Sequence, residues 1–200
     1  MQEKNDVPGT NRIEAFSDGV IAIIITIMVF DIKIPETSAQ ITSTEARIAL
    51  INLLPKLFAY LLSFIVLATM WVNHHAMYHK IKHSTNQLIW YNTNLLFWMS
   101  LIPLPTAYIA KYPFLPEASL FYGIVLGICS ISFMIMRNYA ERNHLIPGSA
   151  SFRLANIISP SLYFSAGIFA YLSVFIAFLI FILIPCIYFL PDKLEKKIKK

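Results

Sequence analysis

Stretches without a charged residue divide this chain, and their lengths predict its elements. The first runs from Gly19 to Phe30, twelve residues between Asp18 and Asp31. A helix needs about 20 residues to cross a ~30 Å hydrocarbon core. A crossing over about 13–33 must therefore take in the polar residues that open it. The second stretch, about 50–78, is opened by Pro55 and Lys56 and is uncharged from Leu57 to His79 when its histidines are neutral. The third, about 86–110, contains Pro103 and Pro105, which predict distortion of its outer half. The fourth, 118–136, lies between Glu117 and Arg137. The last, Leu154–Leu190, has no charge in 37 residues. As one helix it would be about 55 Å long, so it must fold back, near Ala170–Ser173. That gives crossings at about 153–171 and 173–190. The pattern predicts an all-α, polytopic membrane unit of six transmembrane helices, with a basic tail over 191–200.

Composition agrees with this pattern. The chain is 57% hydrophobic and 14% charged, against roughly 25% charged in a soluble domain. Its mean hydropathy is +0.62. The net charge of +5 does not point to nucleic acid, because the basic residues lie between apolar segments and not along one face. With six crossings, twelve basic residues fall on the side of the termini: Lys4, Arg12, Lys80, Lys82, Arg137, Arg142, Arg153 and the five lysines after Asp192. Four fall on the other, Lys33, Arg47, Lys56 and Lys111. That bias predicts both termini in the cytoplasm; a five-crossing count would put the lysine-rich tail outside. Cys129 and Cys186 sit far apart inside apolar runs and read as packing residues. Met1–Asn11 is polar and lacks the apolar core of a signal peptide.

Candidate chemistry gathers at the start of the first crossing, Arg12-Ile-Glu14-Ala-Phe16-Ser17-Asp18. Ser17 or Asp18 could cap a helix, but Arg12 and Glu14 precede them by a turn, which places Asp18 inside the crossing and in need of a donor. Antiparallel crossings put the end of the second stretch, Trp71-Val-Asn73-His74-His75-Ala-Met-Tyr-His79, at the same depth, where its donors can form a polar cluster with Ser17 and Asp18. Asn86, Asn92 and Asn94 can join that cluster or simply solvate the end of the third crossing. His75 and His79, at i and i+4, permit a metal reading, but no Glu stands between them and no Cys or Asp completes a shell. Farther along the first helix, Ile23, Ile27 and Phe30 share a face with Thr26 beside it, while Asp18, Ala22, Ile25 and Val29 lie on another. Periodicity favours lipid-facing or packing residues; an apolar ring around a pore is the sharper alternative. Gly123-xxx-Gly127 permits close helix approach. The chain has no Thr-Val-Gly-Tyr-Gly filter, phosphate-cradling glycine loop or nucleophile elbow.

Arg12-xxx-Phe16-Ser17-Asp18 opening the first crossing resembles the signature of the transmembrane protein 175 family of potassium channels. Trp71-Val-Asn73-His74-His75 and Leu101-Ile-Pro103-Leu-Pro105-Thr106 extend the resemblance over essentially the whole chain. It implies a filter-less, potassium-permeable leak channel, a homotetramer in a prokaryotic cell membrane with the first helix of each subunit lining a central pore. It implies a constriction at Ile23, with Ile27 and Phe30 farther outward and Thr26 at a position tied to ion selectivity. Phe16, Ser17 and Asp18 become structural ties to the second and third crossings. Phe30 departs from the aliphatic residue usual at its position. On this reading the partners are potassium ions, further copies of the chain and the lipid bilayer; no cofactor, metal or enzymatic activity is expected. Two rivals remain at this stage, an intramembrane metal-dependent enzyme using His74, His75 and His79, and a proton-coupled small-molecule transporter using Asp18. The latter lacks the expected internal repeat or broken-helix pair.

Overall fold

The computed structural model describes residues 9–33, 41–148 and 150–189. Lys4 and the basic tail over 191–200 lie outside the described residues. Every regular element among those described is helical: α1 (Thr10–Ile27) with a 3-10 turn at Met28–Asp31, α2 (Ser43–Tyr78), α3 (Asn86–Ser100), α4 (Pro103–Lys111), α5 (Pro116–Arg142), α6 (Ala150–Phe169) and α7 (Val174–Phe189). Helices are the economical answer for an apolar chain in lipid, because each one satisfies its own backbone. Among the described residues, 10–30, 43–78 and 116–142 are long and apolar enough to cross a membrane, and 174–186 is a shorter apolar helix. This is an all-helical membrane protein.

Local sequence explains where the helices stop. Thr42 and Glu45 start α2 with a reciprocal capping box: the Thr42 hydroxyl accepts from Glu45 N at 3.3 Å, and Thr42 N donates to the Glu45 carboxylate at 2.8 Å. The stretch 86–110, expected as one distorted crossing, is in fact two helices. Pro103 has no N–H to continue the ladder; Leu101 and Ile102 keep helical dihedrals, but Leu101 N, Ile102 N and Leu104 N bond three residues back and not four. The chain turns at 101–102 and restarts with Pro103 in the first turn of α4. The long apolar run is divided by a turn at 170–172, between α6 and α7.

α5 is the centre of the bundle, packed against α3, α4 and α6. Glycines make its seam with α6. A Cβ on Gly123 would lie 2.6 Å from the Tyr163 carbonyl oxygen and 3.2 Å from Gly167 Cα, and one on Gly167 would lie 3.1 Å from Leu120 Cα. The Phe164 ring fills the space over Gly127, where a Cβ would come within 2.6 Å of it. In lipid, close packing of this kind replaces the hydrophobic effect as the force between helices. On the other flank of α5 the buried Tyr122 and Phe181 rings meet edge to face at 5.0 Å, tying in α7.

Gly123→Ala should therefore force α5 and α6 apart, because the clash is with backbone. We expect a loss of about 1–3 kcal/mol, read as a lower melting temperature in detergent. Gly9→Ala, where an added Cβ meets nothing within 4 Å, should leave it unchanged. Equal melting of the two variants would refute the seam.

Candidate functional site

α1 has two unlike faces. Ile13, Ser17, Ile21, Ile24 and Met28 are buried against α2, α3 and α4, at spacings of three and four. Nearly opposite, Arg12, Phe16, Gly19, Ile23, Thr26 and Phe30 repeat at the same spacing and are all exposed. Ile23 is 57%, Ile27 47% and Phe30 74% exposed. The Thr26 hydroxyl turns back on its own helix, 3.0 Å from both the Ala22 and Ile23 carbonyls, so beyond Arg12 the bare face is almost entirely apolar.

The buried face is held by a directed chain of hydrogen bonds. The Ser17 hydroxyl donates to the Ile13 carbonyl at 2.8 Å and accepts from the Asn92 amide at 2.9 Å. The Asn92 carbonyl oxygen can only accept, so His74 Nε2, 2.7 Å away, must carry its proton and donate. Ser17, Asn92 and His74 are each at most 2% exposed. The chain joins α2 to α1 through one amide on α3. His74 also stacks on Tyr78, ring centroids 4.5 Å apart.

Closer to the surface, Trp71 Nε1 donates to Asp18 at 2.8 Å, giving the acid its donor. Glu14 Oε1 approaches His75 Nδ1 at 2.7 Å, but out of line for a hydrogen bond. Trp71, His75 and His79 form a ladder of rings, with centroids 5.6 and 5.2 Å apart.

Other residues of the expected network lie elsewhere. Arg12 and Phe16 are exposed, Phe16 by 62%, on the bare face and apart from this cluster. The Asn73 amide donates back to the Thr69 carbonyl at 2.8 Å and lines a cavity of about 20 Å³ with Ser130 and Tyr163, turned toward α5 and α6 and away from Ser17. Asn92 and Glu14 matter more than their sequence setting suggested. Asn92 shares its spacing with Leu88, Leu95 and Met99, all buried; an amide on an apolar stripe was the available signal. Asn94, off that stripe, donates to Ser132 on α5 at 3.1 Å.

A second relay, not anticipated from sequence, lies deeper. Thr106 donates to the Ile102 carbonyl at 2.8 Å, so it accepts from Ser63 at 2.8 Å, and Ser63 in turn accepts from the Tyr122 hydroxyl at 2.9 Å. It joins α2, α4 and α5. Neither relay ends in a nucleophile or an open site. Among the described residues, no three His, Cys, Asp or Glu side chains are grouped to hold a metal ion, and His74 is committed to Asn92.

Ser17→Ala would leave the Asn92 amide without its acceptor inside the bundle, at a cost of about 0.5–2 kcal/mol. Trp71→Phe releases an acid that is partly exposed and should cost less. Thermal unfolding in detergent should rank Ser17→Ala below Trp71→Phe; the reverse order would deny the buried relay its structural role.

Comparison with known proteins matches this arrangement. Residues 12–103, which carry α1, α2, α3 and the turn into α4, match the model of the family described as endosomal/lysosomal potassium channel TMEM175. A potassium channel from Chryseobacterium sp. (strain P1-3) is 34% identical over 94% of this chain and 97% of its own length. A potassium channel from Chamaesiphon minutus is 33% identical, over 84% of this chain and 85% of its own length. The crystal structure of a potassium-selective TMEM175 homologue from Chamaesiphon minutus superposes with a TM-score of 0.79, at 29% identity, covering 90% of this chain and 96% of that one. These relatives are ion channels and not enzymes. The chain belongs to the TMEM175 family.

Proposed function

We propose that this chain is a potassium-permeable leak channel of the cell membrane, built from four copies around a pore lined by α1. The observation that carries this reading is the division of α1: one face is fastened by a buried relay, and the opposite face is bare from Arg12 to Phe30. Beside the bulky residues, Ala15, Gly19 and Ala22 are also exposed, and small residues at such spacing let helices of neighbouring copies approach closely. The relatives named potassium channels support the cargo. In this reading α1 to α7 make six crossings, with α3 and α4 sharing one and α6 and α7 making the last two, and both termini are cytoplasmic.

The mechanism follows from what α1 can offer an ion. Its carbonyls are engaged in the helix through Ile27, so they cannot replace a hydration shell as a carbonyl filter does. The pore wall presents aliphatic side chains, with Ile23 as the constriction and Ile27 and Phe30 beyond it. A narrow apolar ring tends to dewet and so resists any ion that keeps its water. Potassium is held by its hydration shell less strongly than sodium, so the ring discriminates through dehydration. Thr26 adds a hydroxyl oxygen whose proton is turned onto the helix, leaving lone pairs for a passing cation. Ser17, Asp18, Trp71, His74 and Asn92 set the rotation of α1 that aims Ile23 at the axis.

Purified protein in liposomes should pass potassium faster than sodium, and Ile23→Asn should raise the flux severalfold by wetting the ring. Flux no greater than that of protein-free vesicles would overturn the reading. A native mass other than that of four copies would overturn the assembly.

A further inference from the structure

At the end of the bundle where α1 begins, the segment after α2 and the segment after α5 enclose a cleft of about 540 Å³. Pockets that hold small ligands are commonly ~300–1,000 Å³. Its polar lining is Lys80, Lys82, His83, His144 and Glu141. The acid does not set the sign of this lining, because Arg137 binds Glu141 at 3.0 Å from behind, with the two side chains 5% and 10% exposed. Lys80 and Lys82 set it. Ile81 between them is 5% exposed and anchors the segment, leaving both lysines at the surface.

Lysines after a helix often only complement its C-terminal dipole. His144 argues for more. α5 ends with Leu145 N donating to the Ala140 carbonyl at 2.9 Å, around His144 at φ 55. Helix ends of this kind use glycine, which bears that backbone without strain. Among the described residues His144 is the one non-glycine with positive φ. Leu145 and Ile146 are buried behind it, and its imidazole stays exposed on the cleft. The positive-φ backbone thus holds an imidazole on the same cleft that Lys80 and Lys82 line. The depth is that of lipid headgroups: the apolar run of α2 ends at the cleft, and Trp90, one turn into α3, is 73% exposed, as interfacial indoles are.

We propose that this cleft binds a phosphate group, presented either by an anionic phospholipid headgroup or by a soluble phosphate. The proposal requires only that the bundle lies in a membrane and is independent of how the pore conducts.

The test uses the full chain in neutral detergent, with native mass spectrometry after addition of phosphatidylglycerol or phosphatidylcholine. Wild type should retain phosphatidylglycerol about tenfold or more over phosphatidylcholine, the factor two lysines near an anionic surface can supply. Lys80→Gln with Lys82→Gln should bring the ratio close to one, while Lys33→Gln with Lys111→Gln, exposed lysines at the opposite end, should not. His144→Gly should lower retention yet raise the melting temperature, a combination that a purely structural histidine would not give. Displacement of the lipid by millimolar inorganic phosphate assigns the site to soluble phosphate as well; resistance assigns it to the lipid. A preference that survives Lys80→Gln with Lys82→Gln, or no preference in wild type and no melting shift with phosphate, overturns the proposal.

Discussion

The bond from the Asn92 amide to Ser17 is the contact on which the placement of α1 depends. In water such a bond is exchanged for bonds to solvent at little net cost. In a bundle surrounded by hydrocarbon the exchange partner is missing, and a buried amide has to find its partners in the protein. Asn92 finds two, one on each neighbouring helix, and each is the kind of group that its own amide or carbonyl end requires. Rotating α1 one way would replace Ser17 with Phe16 and leave the Asn92 amide N–H without an acceptor, and rotating it the other way would bring the Asp18 carboxylate into the buried site and take it from Trp71. Register and rotation are therefore specified by hydrogen-bond chemistry, which apolar packing in lipid specifies only loosely.

That constraint sorts the residues of α1 by role. Ser17 is the bolt, Asp18 takes its donor from Trp71 nearer the surface, and Glu14 lies against His75. With one face so occupied, the other is left to Phe16, Ile23, Thr26 and Phe30. The acid at the mouth of an apolar helix looks like the seat of chemistry, but its geometry is that of a clamp. The side chains on the opposite face, Ile23, Ile27 and Phe30 among them, are exposed.

How much of this the sequence could disclose depended on the kind of signal. Charge acts locally, so Glu117 announces the start of α5 without knowledge of the fold, whereas Arg137, expected as the far boundary, lies inside α5 and is paired there with Glu141. The depth at which Trp71 meets Asp18 was also legible, since the end of one antiparallel crossing must lie level with the start of its neighbour. Which face of a helix meets which neighbour was not, because an apolar helix in lipid has no polar side to orient it. Asn73 and His74 are consecutive, yet one turns toward α5 and the other toward α3. Asn92 and Asn94 look interchangeable in the sequence, and only the stripe Leu88, Leu95 and Met99 separates them. The Tyr122, Ser63 and Thr106 relay left no trace, since three isolated hydroxyls in apolar runs have no period. The single crossing expected over 86–110 hid a break, because a proline inside an apolar run predicts distortion without saying whether the helix bends or restarts.

The two relays also fix unequal parts of the molecule. Tyr122, Ser63 and Thr106 tie α2, α4 and α5 to one another in mid-bundle, and the glycine seam ties α5 to α6, so this body has polar or close-packed fastenings along its length. α1 has them only in its first half, between Ile13 and Asp18. Beyond Ser17 its buried contacts are Ile21, Ile24 and Met28, held by dispersion alone. Displacing the first half orphans buried polar atoms, whereas displacing the second exchanges one apolar neighbour for another. Lipid tails are as apolar as the contacts they would replace, so that exchange has a small free-energy cost. Ile23 sits at the junction, about one and two-thirds turns past the bolt. Its position is held by the relay on one side, and on the other it borders the stretch of α1 that can move most cheaply.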